Sequence, residues 1–94
     1  MIIVRNVFIA KPGQASKLAA LFKHAAAIGN MPKHRILTDM TGEFNRVVLE
    51  YEVADLPGVE AEMKNYMTNQ AVRDALAGYT DLYLTGTREL LQIV

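Results

Sequence analysis

Hydrophobic residues open this chain almost without a break. Side chains alternate across a strand, so within Met1–Ala10 the residues Ile2, Val4 and Phe8 share one face and Ile3, Val7 and Ile9 the other. A small antiparallel sheet ordinarily leaves one face to water. This strand predicts cover on both. Two helical stripes later in the chain supply one cover, and no further element supplies the second, which points to another copy of the chain.

Lys11-Pro12-Gly13 ends the strand, and a helix is predicted from Gln14 to Ile28. Ala15, Leu18, Leu21, Phe22, Ala25 and Ile28 recur there at helical spacing, with Lys17, Lys23 and His24 off the stripe. Gly29-Asn30 is a stop signal, because both residues tolerate a left-handed backbone. A second strand is expected over Lys33–Met40, with Thr41–Phe44 as the hairpin connection. The third strand alternates most cleanly: Val47, Leu49, Tyr51 and Val53 lie against Arg46, Glu50 and Glu52, with Val48 the one apolar residue on the charged side. Asp55 is placed to cap a second helix whose Val59, Met63, Tyr66 and Met67 form one face. Asn69 interrupts it before a short continuation carrying Val72 and Leu76. Gly78 closes that piece, and Tyr79–Val94 is expected as a long last strand, bulged at Gly86.

The predicted order is βαββαβ, the ferredoxin-like α+β plan, as one domain over residues 1–94: a four-stranded antiparallel sheet with two helices on one face. The doubly apolar first strand and the tail Leu90-Leu91-Gln92-Ile93-Val94 add the expectation that two such sheets pair face to face as a dimeric α+β barrel. The charges of the third strand then belong near the rim of that contact.

Composition narrows the partners. Ten basic and ten acidic residues cancel and are scattered without a run of either sign, so no basic face is predicted for nucleic acid or an anionic membrane. A neutral chain that is half apolar is expected to meet a small apolar molecule or itself. The chain has no cysteine, which removes disulfides, thiolate metal sites and a cysteine nucleophile. Neither a leader peptide nor a membrane-spanning stretch is predicted, and the expected compartment is the cytoplasm.

Familiar catalytic motifs are missing. Gly13 and Gly42 stand alone, so no phosphate-cradling loop is predicted, and His24 and His34 fall in different elements without metal-site spacing. No cofactor or metal is expected. The candidate chemistry lies in polar residues among apolar ones. Asn6 shares a face with Ile2, Val4 and Phe8, where an unpartnered amide costs about 1–3 kcal/mol. It either bonds a neighbouring strand's backbone or points into a ligand pocket. Tyr66 and Tyr51 lie on inward faces, as amphipathic core fillers or as phenols that orient a ligand. His34 opposes Tyr51 if Thr38 opposes Val47, and then faces the helices as a base; a one-residue slip turns it away. Arg5 and Arg88 are expected to pair with Glu50, Glu52 or Glu89. Phe8, Phe22, Tyr51 and Met63 are the expected apolar lining of a pocket, and methionine suits an adaptable wall.

The run Val4-Arg5-Asn6-Val7-Phe8-Ile9-Ala10-Lys11-Pro12-Gly13 resembles the first strand and exit turn of the dimeric α+β barrel superfamily. Its members include antibiotic-biosynthesis-type monooxygenases and NIPSNAP-like proteins. Gly42-Glu43-Phe44-Asn45-Arg46-Val47-Val48 is similar to the hairpin of the NIPSNAP-like branch. The resemblance covers the whole chain as an order of elements, through short motifs. It implies a pocket between sheet and helices and, in the monooxygenase branch, oxygenation of aromatic substrates without metal or flavin. The first-strand asparagine of that branch falls on Asn6. Haem-degrading relatives would place a tryptophan near Tyr66 and their iron-ligating histidine near Leu76; leucine cannot ligate iron, which disfavours haem chemistry. The resemblance therefore implies a small homodimer binding an apolar or aromatic molecule, either a cofactor-independent monooxygenase with Asn6, Tyr66 and His34 at its centre or a non-catalytic NIPSNAP-like binding or assembly module.

Overall fold

The computed structural model describes all 94 residues. Strand β1 (Ile2–Ala10) leads into helix α1 (Ala15–Ile28), strands β2 (Arg35–Thr38) and β3 (Arg46–Val53), helices α2 (Leu56–Thr68) and α3 (Gln70–Ala75), a single 3₁₀ turn (Tyr79–Asp81), and strand β4 (Tyr83–Gln92). The four strands form one antiparallel sheet in the order β2-β3-β1-β4. The predicted ferredoxin-like α+β plan is the one observed, with the second helix divided at Asn69.

Local chemistry places those breaks. Asp55 accepts a hydrogen bond from the Gly58 backbone N–H at 2.9 Å and so starts α2. Asn69 ends α2 in an extended conformation, and its side-chain oxygen accepts from the N–H groups of Ala71 and Val72, which starts α3. Leu18, Phe22, Ala25 and Ala26 are the buried stripe of α1. The glycine at its end serves a purpose other than the predicted one. Gly29 keeps a right-handed backbone, and a Cβ there would stand 3.0 Å from Cγ2 of Val72 on α3. Close helix approach requires the glycine, and Asn30, with φ of 51°, takes the left-handed turn.

Three strand limits differ from expectation. β2 begins at Arg35 because Lys33 adopts a φ of 40°, which breaks the extended run before His34. It ends at Thr38, where the Asp39 carboxylate accepts from the Arg46 N–H. Residues 79–81 wind into a 3₁₀ turn, so β4 starts at Tyr83. The irregularity in β4 falls at Leu84, between the pairs Ile9–Thr85 and Ala10–Tyr83, and not at Gly86. Gly86 instead sits opposite Phe8, where a Cβ would lie 3.1 Å from the phenyl ring.

The two faces of the sheet are now defined. Val4, Val47, Leu49, Tyr51 and Val53 are buried under the helices with Leu18, Phe22, Val59, Val72 and Leu76. The opposite face carries Ile3, Val7, Ile9 and Val48 around one row of charge. Arg35 opposes Glu50, Glu50 opposes Arg5, and Arg5 opposes Glu89, so alternating signs cross all four strands in register. Arg5 and Arg35 donate through Nε to the two Glu50 carboxylate oxygens at 2.6 and 2.7 Å, while Arg5 and Glu89 are 4.0 Å apart. Glu50 is only 4 % exposed.

Candidate functional site

Where the sheet's inner face meets α1 and α2, the side chains leave a cavity of about 330 Å³. Eight of its ten lining residues are hydrophobic or aromatic. Phe8 and Tyr51 rise from the central strands and Phe22 from α1, while Met63, Tyr66 and Met67 descend from α2. Phe22 and Phe8 are packed ring to ring with centroids 4.8 Å apart, and Tyr83 and Tyr79 extend the cluster at 5.0 Å from Phe8 and 6.0 Å from Phe22. Aromatic contacts of this kind hold their geometry through offset and edge interactions, so the wall is stiff.

Two polar residues complete the lining, Asn6 and Arg88. They are cross-strand partners between β1 and β4. Arg88 Nε donates to Asn6 Oδ1 at 2.7 Å, and its Nη1 lies 3.8 Å from the Met63 sulfur, a weak acceptor. Asn6 is 8 % exposed. Its carbonyl oxygen is thus committed to the arginine, which leaves its NH₂ as the free side of the amide. Asn6 is thus tied to the neighbouring strand through the Arg88 side chain and not through that strand's backbone, and it lines the cavity.

The phenols of the site are neutral at physiological pH. Burial, with Tyr79 and Tyr51 nearby adding to it, pushes Tyr66 up to about 12 against a smaller opposing pull from Arg88. Burial also raises Tyr51 and Tyr79. A folded-state pKa above the unfolded value of about 10 contributes stability that is fully present below that pH and is lost as pH rises through the folded value. Tyr66 is therefore expected to be the last tyrosine to ionise, in the window from ~10 to about 12. Tyrosinate ultraviolet absorbance against pH checks this: Tyr66→Phe should remove the highest-pH component, and an unchanged titration would contradict the burial described.

Six of the seven sequence-predicted site residues converge on this cavity: Asn6, Tyr66, Phe8, Phe22, Tyr51 and Met63. His34 does not. The strand register places Thr38 opposite Val47 and Ile36 opposite Leu49 as expected, but the ladder stops at Arg35. His34 Nδ1 contacts the Met31 carbonyl oxygen at 2.9 Å in the preceding turn. Leu49, Tyr79 and Arg88 line the cavity beyond expectation, and Met67 joins Met63 in its adaptable wall. Arg88 was expected to meet a carboxylate and forms no ion pair; Arg5 has both Glu50 and Glu89. The signal for Arg88 lay in parity along β4, because Arg88 and Leu90 lie opposite Asn6 and Val4 and share their face. Leu76, where an iron ligand would fall by resemblance, is buried in the apolar core. No group of three or more histidine, aspartate or glutamate side chains is placed so that it could hold a metal ion, and no helix is long and apolar enough to cross a membrane.

No family profile matches the sequence, and neither does any curated protein. Solved structures do match by shape. A NIPSNAP family protein from Agrobacterium tumefaciens superposes with a TM-score of 0.85 at 11 % identity, covering 99 % of this chain and 92 % of that one. A NIPSNAP-like domain protein from Burkholderia xenovorans gives 0.81 at 15 % identity, over 99 % and 84 % of the two chains. An antibiotic biosynthesis monooxygenase gives 0.74 at 14 % identity, over 100 % and 99 %. At these identities the likeness is one of architecture: the chain has the ferredoxin-like α+β fold shared by NIPSNAP-family proteins and antibiotic biosynthesis monooxygenases.

Proposed function

We propose that this protein binds an apolar or aromatic small molecule in the cavity between sheet and helices, and that it does so as a homodimer. The observation that carries the binding reading is the cavity itself. Phe8, Phe22, Leu49 and Met63 would occupy this space in a purely structural module, yet they line about 330 Å³ of it without filling it. That volume is at the small end for ligand pockets, and a mostly apolar lining with a few convergent polar groups is their usual character. The dimer reading rests on the outer sheet face, where Ile3, Val7, Ile9 and Val48 flank the charged row with no helix over them.

A cofactor-independent oxygenase is the catalytic form of this reading. It is favoured by Asn6 and Tyr66 meeting at one cavity in a fold shared with an antibiotic biosynthesis monooxygenase. In such a reaction a deprotonated substrate carbanion reacts with dioxygen, and protein donors hold the substrate's oxyanion. Asn6 NH₂ and the neutral Tyr66 hydroxyl suit the donor role. His34 is withdrawn as the base, and the lining holds a guanidinium, an amide and neutral phenols, none of which accepts a proton near pH 7. Under this reading the substrate enters already ionised or is acidic enough to ionise on binding.

Native mass spectrometry of the purified protein tests both parts. A dimer with a retained apolar molecule is the expected result, and fragmentation of that molecule names the substrate class. A monomer would remove the homodimer, and a protein that neither retains nor takes up any hydrophobic compound from a small aromatic panel would remove the pocket.

A further inference from the structure

We propose that the ligand of this cavity is a carboxylate, an apolar ring system bearing one anionic group, and that Arg88 is the residue that recognises it. The proposal rests on the binding reading above and names the class of molecule bound. Arg88 is the one charged residue in the lining, and it has no carboxylate partner in the fold. On the outer face Arg5 and Arg35 both clasp Glu50; Arg46, at the start of β3, is also unpaired but lines no part of this cavity.

Geometry gives Arg88 a defined free edge. Its Nε is spent on Asn6 Oδ1 at 2.7 Å, which fixes the guanidinium plane and leaves the two terminal nitrogens side by side. The Met63 sulfur near Nη1, at 3.8 Å, is an acceptor that a carboxylate oxygen would displace without loss. Two parallel N–H groups match the two oxygens of a carboxylate, a pairing stronger than a neutral hydrogen bond. The groups around that edge agree in sign. Asn6 presents its NH₂, and the phenol of Tyr66 keeps its proton, so the polar end of the cavity is made of donors. Glu62 on α2 acts on the Tyr51 phenol, raising it, but lies outside the lining, which holds no acid. Arg88 is exposed while Phe22 is buried. The anion therefore sits at the mouth with the ring directed inward, onto Phe8, Phe22 and Tyr66.

The test compares 2-naphthoate with 2-naphthylmethanol, a matched pair differing in charge, by isothermal titration against wild-type protein, Arg88→Met and Arg88→Lys. The expected result is about tenfold or more tighter binding of the acid to wild type. Arg88→Met should erase that preference, and Arg88→Lys should restore only part of it, because a point charge lacks the fork. Naphthoate should also shift the Asn6 side-chain amide resonance in wild type, a readout that a structural role for Arg88 would not move. Equal affinity for the two compounds overturns the anion proposal and leaves the apolar pocket standing. A preference that survives in Arg88→Met overturns the role of Arg88. Binding of neither compound overturns the pocket and this proposal with it.

Discussion

Phe22→Ala is expected to cost about 3–5 kcal/mol, the largest stability loss of any single substitution considered for this protein. Phe22 is 1 % exposed and lies where α1, the sheet and the aromatic cluster meet. Truncation removes the apolar area of the ring, and the neighbouring aromatic contacts with Phe8 and Tyr79 contribute about 0.5–1.5 kcal/mol each beyond that area. A cavity already borders the ring. The void created by truncation joins it and stays open, because Phe8 is held against Gly86 and Tyr83. Small domains are stable by only about 5–15 kcal/mol, so the variant should unfold at a much lower urea concentration with the slope of the transition unchanged. A loss below about 1 kcal/mol would mean the cluster repacks freely, and the pocket wall would then not be the rigid surface the binding proposal needs.

How much of this arrangement could be read from the chain alone depended on whether the signal was local. The hydrophobic periods of β1, α1, β3 and α2 identify the faces directed at the core, and the cap Asp55 stands where a side-chain oxygen next to a free backbone N–H puts it, while Asn69 was legible as a break but not as the cap of α3. The lining from β1, α1 and α2 was legible for the same reason, since Asn6, Phe8, Phe22, Met63 and Tyr66 occupy inward positions of strongly periodic segments. The misses share a cause. His34 lies beside Lys33, whose left-handed backbone ends the strand early, and positive φ in a lysine leaves no trace in composition. Arg88 reads as an ordinary strand charge until β4 is paired with β1, when it falls opposite Asn6. Tyr79 joins the pocket wall because Gly78, at φ of 82°, turns the chain into a 3₁₀ step where continuous strand was expected. The pairing of β4 with β1 and single-residue backbone choices are decided by tertiary packing, which local sequence does not encode.

Glu50→Gln is expected to cost about 1–3 kcal/mol at neutral pH, through charge and not shape. Gln retains the size of the side chain but leaves Arg5 and Arg35 converging on a neutral group. Arg35 is the more exposed of the two, with its side chain 64 % accessible against 33 % for Arg5. Solvent screens it, so most of the loss belongs to the Arg5 contact. The pH dependence separates this account from a packing effect. Burial works to raise the Glu50 carboxyl, but hydrogen bonds from Arg35 and Arg5, with their charges, outweigh it and hold the carboxyl below the usual glutamate range. A depressed folded-state value means the stabilisation is fully present above the unfolded pKa, about 4.3, and is lost as pH falls through the folded value. Urea midpoints of wild type and Glu50→Gln should therefore differ at neutral pH and converge in acid. A difference that persists in acid would assign the cost to packing. Protein concentration adds a second axis. If another copy of the chain covers this face, the charged row is desolvated further in the dimer. The urea midpoint of wild type should then rise with protein concentration, because association stabilises only the folded state. A midpoint independent of concentration would place the charged row on a face that water covers, and Ile3, Val7 and Ile9 with it.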